Sequence, residues 1–468
     1  MSPKIAIIGA GIAGLSAAKR LTELGFSDYQ VFEGSDRIGG RIHPIPYHGG
    51  YLQMGAQFIN GTDNPIYEIA QRVGVLSDPV SDTAHFDEAE FLVGNQPVDP
   101  KDIELFKKFV EPLDGRYREF SANYTIMGIA YTFHDLFMED YERFLIENNI
   151  NGRRKDVFDA LTRSYRSYWE FEWAADWKNL SLSVLKHWND GGPTCESFTT
   201  NEIGYKAILD DIMSSIPQNV FHFNTTVKTI DYADDKIVLT TKEGEYPQKF
   251  DHVIVTCSLG HLKRFHRILF NPVLPAYKQE AIEKIGFGES SKIFFRWEKP
   301  FWKPDTFSLA PLPVRGLARK HISPFEREIT TLQVVSWEPN TLMAWVAGEG
   351  NAIIDQMETE EIKEKITKLI RDMMNDQSID PPSEIVRTQL TKNDLLCGSY
   401  SYLSRAQAEA GFTTEYLARP ISSNGRSKIL FAGEATHDRL FQTAIGAYLS
   451  GIREAERIKK ENAIKSHL

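Results

Sequence analysis

The first 33 residues constrain this chain more than any other stretch. Lys4-Ile5-Ala6-Ile7-Ile8 is a short apolar run of the kind that forms a buried parallel strand. It feeds directly into Gly9-Ala10-Gly11-Ile12-Ala13-Gly14, and a helical pattern follows from Leu15 to Leu24. A second strand, Tyr29-Gln30-Val31-Phe32, ends on Glu33. Strand, glycine turn, helix, strand and acid in that order make the βαβ fingerprint of a dinucleotide site. Gly9 allows the tight turn, Gly11 lets the backbone approach a pyrophosphate, and Gly14 lets helix and strand pack closely. The helix N-terminus presents N–H groups and partial positive charge to phosphates. Glu33, about 20 residues past the glycines, is placed to accept hydrogen bonds from a ribose diol.

A chain of 468 residues exceeds one ordinary domain and suggests two or three. Its net charge of −11 argues against non-specific nucleic-acid binding and suits a cationic ligand, although such a balance is also ordinary for a cytosolic protein. The three cysteines, Cys195, Cys257 and Cys397, include no CxxC pair, which points to reduced thiols in an intracellular protein and to no metal site. The apolar run at Ile5 is a strand and not a signal-peptide core. No stretch approaches the roughly 20 apolar residues of a membrane span. The terminal Ser466-His467-Leu468 differs from the peroxisomal Ser-Lys-Leu address at its middle residue, so a cytoplasmic or a peroxisomal location is open.

Further along, Arg37-Ile38-Gly39-Gly40-Arg41 offers a backbone that passes close to a diphosphate, with Arg41 adding a charge-assisted contact. Gly55-Ala56-Gln57-Phe58-Ile59-Asn60-Gly61 suits a chain threading along a flat ring system, or a plain turn. From Pro65 to Asn189 the pattern is helical. Within it Trp169, Trp173 and Trp177 recur every four residues and would share one helix face, interleaved with Glu170, Glu172 and Asp176. That face either packs a core or, with its acids, walls a tunnel for a polycation.

A helix near Gly204 is followed by strands at 220–223, 227–232, 236–241 and 250–256, which read as completing the sheet of the first domain. The region 272–420 alternates strands with one long helix, 359–375, for which Thr359 is a plausible N-cap. There Lys292-Ile293-Phe294-Phe295-Arg296-Trp297 is a β-prone run starting on a lysine, a position as readily solvated as functional. Lys428 to Gly433 is a third buried strand ending on Glu434, and the small residues from Gln442 to Gly451 open a helix whose N-terminus can approach a ligand. The expectation is an α/β chain with a discontinuous Rossmann-like domain made of residues 1–75, 200–280 and 425–468. A substrate-binding α+β domain of residues 76–199 and 281–424 is inserted into it. No second GxGxxG unit is present, so one dinucleotide binds.

At this point the residues resemble the flavin-dependent amine oxidases, especially the polyamine and spermine oxidases. Four motifs spanning nearly the whole chain carry the resemblance. They are Ile7 to Leu15 with Arg37 to Arg41; Val253-Ile254-Val255-Thr256-Cys257-Ser258-Leu259-Gly260; Gly398-Ser399-Tyr400-Ser401-Tyr402; and Phe431-Ala432-Gly433-Glu434-Ala435-Thr436-His437, extended by Gly446 to Gly451. The first two occur loosely in many flavoproteins, whereas the last two, in this order, are more specific.

The resemblance implies an amine-oxidase-type fold with FAD between the two domains. Glu33 would take the adenosine ribose, Arg41 the region of the pyrophosphate and Glu434 the flavin's sugar-phosphate side. Gly9, Gly11, Gly14, Gly40, Val227, Thr443 and Ala444 would complete the cofactor contacts. Lys292 resembles the family's catalytic lysine, which holds a water against flavin N5. Tyr400 would face the flavin across the substrate channel, and Glu172 resembles the carboxylate that takes a distal substrate ammonium. Asn60 stands where polyamine oxidases usually carry His or Glu, Leu390 in the place of a common tryptophan, and Thr443 where plant enzymes place an aromatic ring. Ser399 replaces the flavin-linking cysteine of the monoamine oxidases, so the FAD is expected to be non-covalent.

The implied chemistry is hydride transfer from a neutral amine to flavin N5, hydrolysis of the imine and reoxidation by O2 to hydrogen peroxide. The substrate is then a small cationic amine, spermine or an N1-acetylated polyamine. Two alternatives stand beside this. An L-amino acid or other amine oxidase would need a cation for a substrate carboxylate, and none is assigned. A non-catalytic flavin-binding interaction protein is countered by the retained Lys292.

Overall fold

The computed structural model describes residues 2–80, 88–123, 130–188, 197–312, 314 and 322–465. Cys195 and the Ser466-His467-Leu468 tripeptide lie outside these. The strand Ile5–Ile8 lies between Tyr29–Phe32 and His252–Val255, parallel to both, with Ile7 opposite Val31 on one side and Ile254 on the other. Arg426–Phe431 continues the parallel sheet beyond His252–Val255. Phe221–His222 pairs parallel at one edge, and Ile421–Ser423 pairs antiparallel at the other. Segments far apart in sequence therefore supply the neighbours of one six-stranded sheet. Its central strands are buried on both faces, which is why they read as unbroken apolar runs and not as alternations.

One face of this sheet is covered by the first helix, Ile12–Glu23, and the last, Ala444–Lys465. They cross closely because both lack bulk at the contact. A Cβ on Gly451 would lie 2.1 Å from the carbonyl oxygen of Ala13, and the Ser16 hydroxyl donates to the carbonyl of Tyr448 at 2.7 Å. Gly446 likewise presses on the Leu440 carbonyl, 2.0 Å from a notional Cβ. Gly446 and Gly451 thus serve chain packing, while Gln442, Thr443, Ala444 and Ala447 of the same segment line the cavity described below. On the opposite face lie Val227, Ile230, Leu259, Leu262 and Ile282. The hairpin strands Val227–Asp231 and Val238–Thr241 do not complete the first sheet as expected; they form a four-stranded sheet of their own.

The second large sheet has seven strands, with Ser290–Arg296 antiparallel to both Glu338–Ala347 and Glu384–Arg387. Successive side chains point to opposite faces. Ile293, Phe295, Leu342 and Ala344 pack with Ile362, Ile366 and Ile370 of the helix Thr359–Met374. Phe294 and Met343 belong to a separate cluster with Leu52 and Met54 on the other side, the side of Lys292 and Trp345. A strand of period 2 therefore carries a lysine at its third residue into the interior.

Three local expectations are corrected. The stretch 65–189 is not wholly helical: Leu76–Val80, Ala89–Val93 and Gln96–Pro97 are strands, and Ala89–Val93 pairs parallel with Ser308–Pro311, a partner over 200 residues away that local periodicity cannot reveal. Thr359 is the first helical residue and Glu358 occupies the cap position, without a side-chain cap bond. The helix carrying the tryptophans ends at Trp173, where Ala174 turns left-handed, so Trp177 lies beyond the helix. Among the described residues no helix is long and apolar enough to cross a membrane.

Candidate active site

A single cavity of about 870 Å³ runs from the glycine turn of the first strand to an aromatic layer in the helical region. At the nucleotide end the three glycines have separable reasons. Gly9 has φ +107°, and a Cβ there would meet the Thr256 hydroxyl at 2.6 Å. Gly14 backs onto the Gly9 carbonyl, 2.0 Å from a notional Cβ. At Gly11 the nearest atom to a Cβ is 4.0 Å away, so its missing side chain leaves space to a ligand. The helix behind it has no side-chain cap, and its first N–H groups face the cavity that Ile12 and Ala13 line. Glu33 accepts from the Ala10 N–H at 2.7 Å with one oxygen and from the Ser35 N–H and hydroxyl, at 2.8 and 2.7 Å, with the other. The oxygen that takes the Ala10 N–H keeps a lone pair to accept from a ribose hydroxyl, while the other is filled by Ser35. Gly40, Val227, Thr225, Thr226 and Ala444 complete this end of the lining. These residues fit a dinucleotide.

In the middle of the cavity Arg41 donates to Glu434 at 2.8 Å and to the Ser399 carbonyl at 2.6 Å. The other oxygen of Glu434 accepts from the Ser401 hydroxyl at 2.5 Å and from the Gln442 N–H at 2.7 Å. Glu434 therefore ties the Gly-Ser-Tyr and Ala-Gly-Glu motifs to the arginine of the Gly-Gly-Arg turn. The Ser399 hydroxyl is engaged with the backbone of Ser290, accepting and donating at 2.8 Å. Cys397 Sγ donates to the Asp394 carbonyl. Neither offers the cofactor a thioether. Thr443 lines the cavity, but its hydroxyl donates to the Leu440 carbonyl and accepts from the Gly446 N–H, so it acts as a helix cap with no polar hydrogen left to donate.

Lys292 is 2% exposed. Its Nζ donates to the carbonyls of Gln53 and Gly55 at 2.7 and 2.8 Å and to Oε1 of Gln57 at 2.8 Å, and sits 4.6 Å above the ring of Trp345. Burial alone holds its pKa well below the usual lysine value. The reading of a solvated lysine is excluded by this burial. Tyr400 donates to the Phe171 carbonyl, and burial, reinforced by the charge of Glu172, pushes its phenol up, so it stays protonated.

Phe58, Trp345 and Phe171 stack in a row, with ring centroids 6.3 and 5.1 Å apart. Beyond them Tyr165, Tyr168, Trp169, Trp173 and Trp188 line the channel, and Glu172 lies among them. The tryptophans thus do both things foreseen: Trp169 and Trp173 are buried in the aromatic core and also wall the cavity. Of the three acids in that segment only Glu172 faces the cavity. Glu170 is turned inward, 3.3 Å from Arg166, and accepts from the Trp177 N–H at 3.3 Å. Burial raises its pKa to about 7, against which Arg166 works. A carboxyl whose folded pKa lies above its unfolded one binds more protons when folded. Stability is therefore expected to fall as pH rises from 4.5 to 7, by at most roughly 1.4 kcal/mol per pH unit. Thermal melts of Glu170→Gln across that window should lack this component.

Asn60 is brought into the lining, where its amide donates to the Ser197 hydroxyl at 3.0 Å, and Leu390 lies there too. Gln57 and Trp345 were missed as partners of the lysine. Trp345 lies directly across the strand pair from Lys292, a pairing that only the sheet register reveals. Among the described residues no cluster of His, Cys, Asp and Glu could hold a metal ion.

A dinucleotide cradle is thus joined, in one cavity, to a lysine-bearing aromatic channel. The family model for flavin containing amine oxidoreductases matches residues 12–459, and the chain belongs to that family. Its cofactor is FAD, held non-covalently. The chain is 27% identical to a bovine (Bos taurus) peroxisomal N(1)-acetyl-spermine/spermidine oxidase, over 97% of this chain and 94% of the relative. It is 26% identical to probable polyamine oxidase 5 of Arabidopsis thaliana, over 98% of each. Among solved structures, cyclohexylamine oxidase from Brevibacterium oxydans superposes with a TM-score of 0.71 at 18% identity, over 99% of this chain and 100% of the other, which establishes the shared fold.

Proposed function

We propose that the protein is a polyamine oxidase, acting on spermine or an N1-acetylated polyamine with O2 to give an aminoaldehyde, a shorter amine and hydrogen peroxide. The carrying observation is that one cavity continues from Lys292 and Tyr400 past Glu172 into a sleeve of aromatic rings. A long flexible polycation needs apolar walls for its methylenes, ring faces for its ammonium groups and a carboxylate away from the reacting carbon. When bound, FAD supplies the two-electron acceptor for the amine and returns the electrons to dioxygen. The chain's residues do the rest. The aromatic wall favours the neutral form of the reacting nitrogen. Glu172 holds a distal ammonium that remains charged and so sets which carbon reaches the flavin. Lys292, buried and without a carboxylate beside it, is the proton-handling group on the cavity wall, its Nζ held by the carbonyls of Gln53 and Gly55 and the amide of Gln57.

The reading includes a division of the chain into a cofactor-binding unit of residues 1–75, 200–280 and 425–468 and a substrate-binding unit of 76–199 and 281–424, and an intracellular location. A second reading, oxidation of another amine, draws support from Asn60 and Thr443, which supply neither the charge nor the ring found in many polyamine oxidases. Anaerobic mixing with spermine, spermidine and their acetylated forms is expected to bleach the flavin, and an unchanged spectrum with all of them would reject the proposal. Glu172→Gln should raise KM for the polyamine roughly 10- to 100-fold with little change in kcat, the signature of a lost charge-assisted binding contact.

A further inference from the structure

We propose that Gln57 is a positioning residue whose side-chain amide turns end over end, so that Lys292 is held equally well as an ammonium and as a free amine. Its bearing on the reaction rests on the reading of Lys292 given above. The argument starts from the shell around Nζ. Two of its three hydrogen-bonding directions end on the backbone carbonyls of Gln53 and Gly55, which can only accept. That backbone is firmly held. Met54 N–H donates to the His43 carbonyl at 3.0 Å, Ala56 N–H donates to the Arg41 carbonyl at 3.3 Å, and Gly55 lies so close to Arg41 that a Cβ would come within 1.7 Å of its carbonyl oxygen.

The third direction meets the amide of Gln57 at 2.8 Å. An ammonium has three N–H groups and fills all three directions as a donor, with Oε1 of Gln57 accepting the third. A free amine has two N–H groups and a lone pair. It keeps both carbonyls, and its lone pair then needs a donor in the third direction. A primary amide supplies one by rotating half a turn, since Oε1 and Nε2 occupy nearly the same shape. A carboxylate there would serve only the ammonium, and an apolar side chain would serve neither. The proton that separates the two states leaves to, or returns from, a water in the cavity that both residues line.

The surroundings place no fixed charge on this lysine. Glu384 of the neighbouring strand pairs with His48, Arg387 donates to the Ile354 carbonyl, and Glu338 lies by Arg296. Arg41 and Glu434 pair with each other, and Glu172 and Tyr400 share the cavity without contributing to the lysine's lowered proton affinity, which burial alone causes. With the indole of Trp345 on its open side, the ammonium is supported only by neutral groups. A lysine so placed can exchange its proton without breaking an ion pair.

The test is a pH titration of the holoenzyme labelled with ¹³C at lysine Cε, with the Lys292 resonance identified by its loss in Lys292→Met. Gln57→Glu is expected to raise the Lys292 midpoint by roughly 1–3 pH units, because a carboxylate only accepts. Gln57→Met is expected to leave it near the wild-type value, because ammonium and free amine each lose one partner, whereas an amide that could only accept would give a lowered midpoint on removal. The pH dependence of flavin reduction should follow the midpoint in each variant. A wild-type midpoint in Gln57→Glu or a lowered one in Gln57→Met would overturn the proposal. If Gln57→Glu yields no folded holoenzyme, Gln57→Met decides alone, a lowered midpoint overturning the proposal and a wild-type one supporting it. Midpoints that behave as expected in a protein that oxidises no polyamine would support the amide switch and reject the polyamine reading, so the two fail separately.

Discussion

Lys292→Met is expected to give a folded, yellow protein whose flavin is reduced or reoxidised at least about 100-fold more slowly than in the wild type, the lower end of what a positioned proton-handling group contributes. Methionine keeps the length and much of the volume of the lysine stem but donates no hydrogen bond. The carbonyls of Gln53 and Gly55 lose their donor, at a cost of about 1–3 kcal/mol each. Removing a buried amine that has no carboxylate partner works in the opposite direction. The two effects nearly cancel in stability while the chemistry does not. Stopped-flow measurement of both half-reactions, alongside a thermal melt, separates them. Unchanged rates would remove Lys292 from the mechanism.

The second large effect contrasts two glycines three residues apart. Gly11→Val is expected to fold and to lack flavin absorbance, because the nearest protein atom to a Cβ at this position is 4.0 Å away and the backbone there is extended (φ −68°, ψ 172°), a conformation open to any residue. The added Cβ meets no protein atom closer than 4.0 Å, on a wall of the cavity that would take the cofactor. Gly14→Ala is expected to fail earlier, in folding, since its Cβ would lie 2.0 Å from the Gly9 carbonyl oxygen and 3.2 Å from the Thr256 hydroxyl. Neither the strand nor the helix can retreat without disturbing the sheet, at a cost of about 1–3 kcal/mol or more. Melting curves and flavin content of the two variants, compared after identical purification, check this. Two colourless but equally stable proteins would show that Gly14 serves the cofactor and not the packing.

Legibility in the sequence followed the range of the interaction. The βαβ unit was readable because its strand, turn, helix and acid are contiguous and each has a local signature. Arg41, Glu434, Tyr400 and Lys292 were singled out through motifs, and one cavity indeed collects them, together with Asn60, Glu172 and Thr443. What could not be read depended on pairing between distant segments. Trp345 meets Lys292 only because two strands are in register. Gln57 meets it only because the turn after Gln53 folds back under that sheet. Glu170 and Glu172 are two residues apart and look equivalent in sequence, yet helix geometry sends one to Arg166 and the other to the cavity. Thr443 lines the cavity, and the use of its hydroxyl to cap the last helix could be read only from the fold.

The interleaved parallel sheet also has a temporal consequence. A ribosome makes about 5–20 residues per second. The strand Ile5–Ile8 therefore emerges with Tyr29–Phe32 for company and waits roughly 12–50 s for His252–Val255, its neighbour on the other side, about 250 residues later. Arg426–Phe431 and the helix Ala444–Lys465, which covers the first helix, arrive later still. Through about half of synthesis the nascent chain carries an unpaired, wholly apolar strand edge, and until the last helix is made it carries an uncovered helix face. Such an edge is open to pairing with other chains until its own partner arrives, so slowing translation is expected to lower the yield of folded protein, as soluble expression at matched protein levels would show.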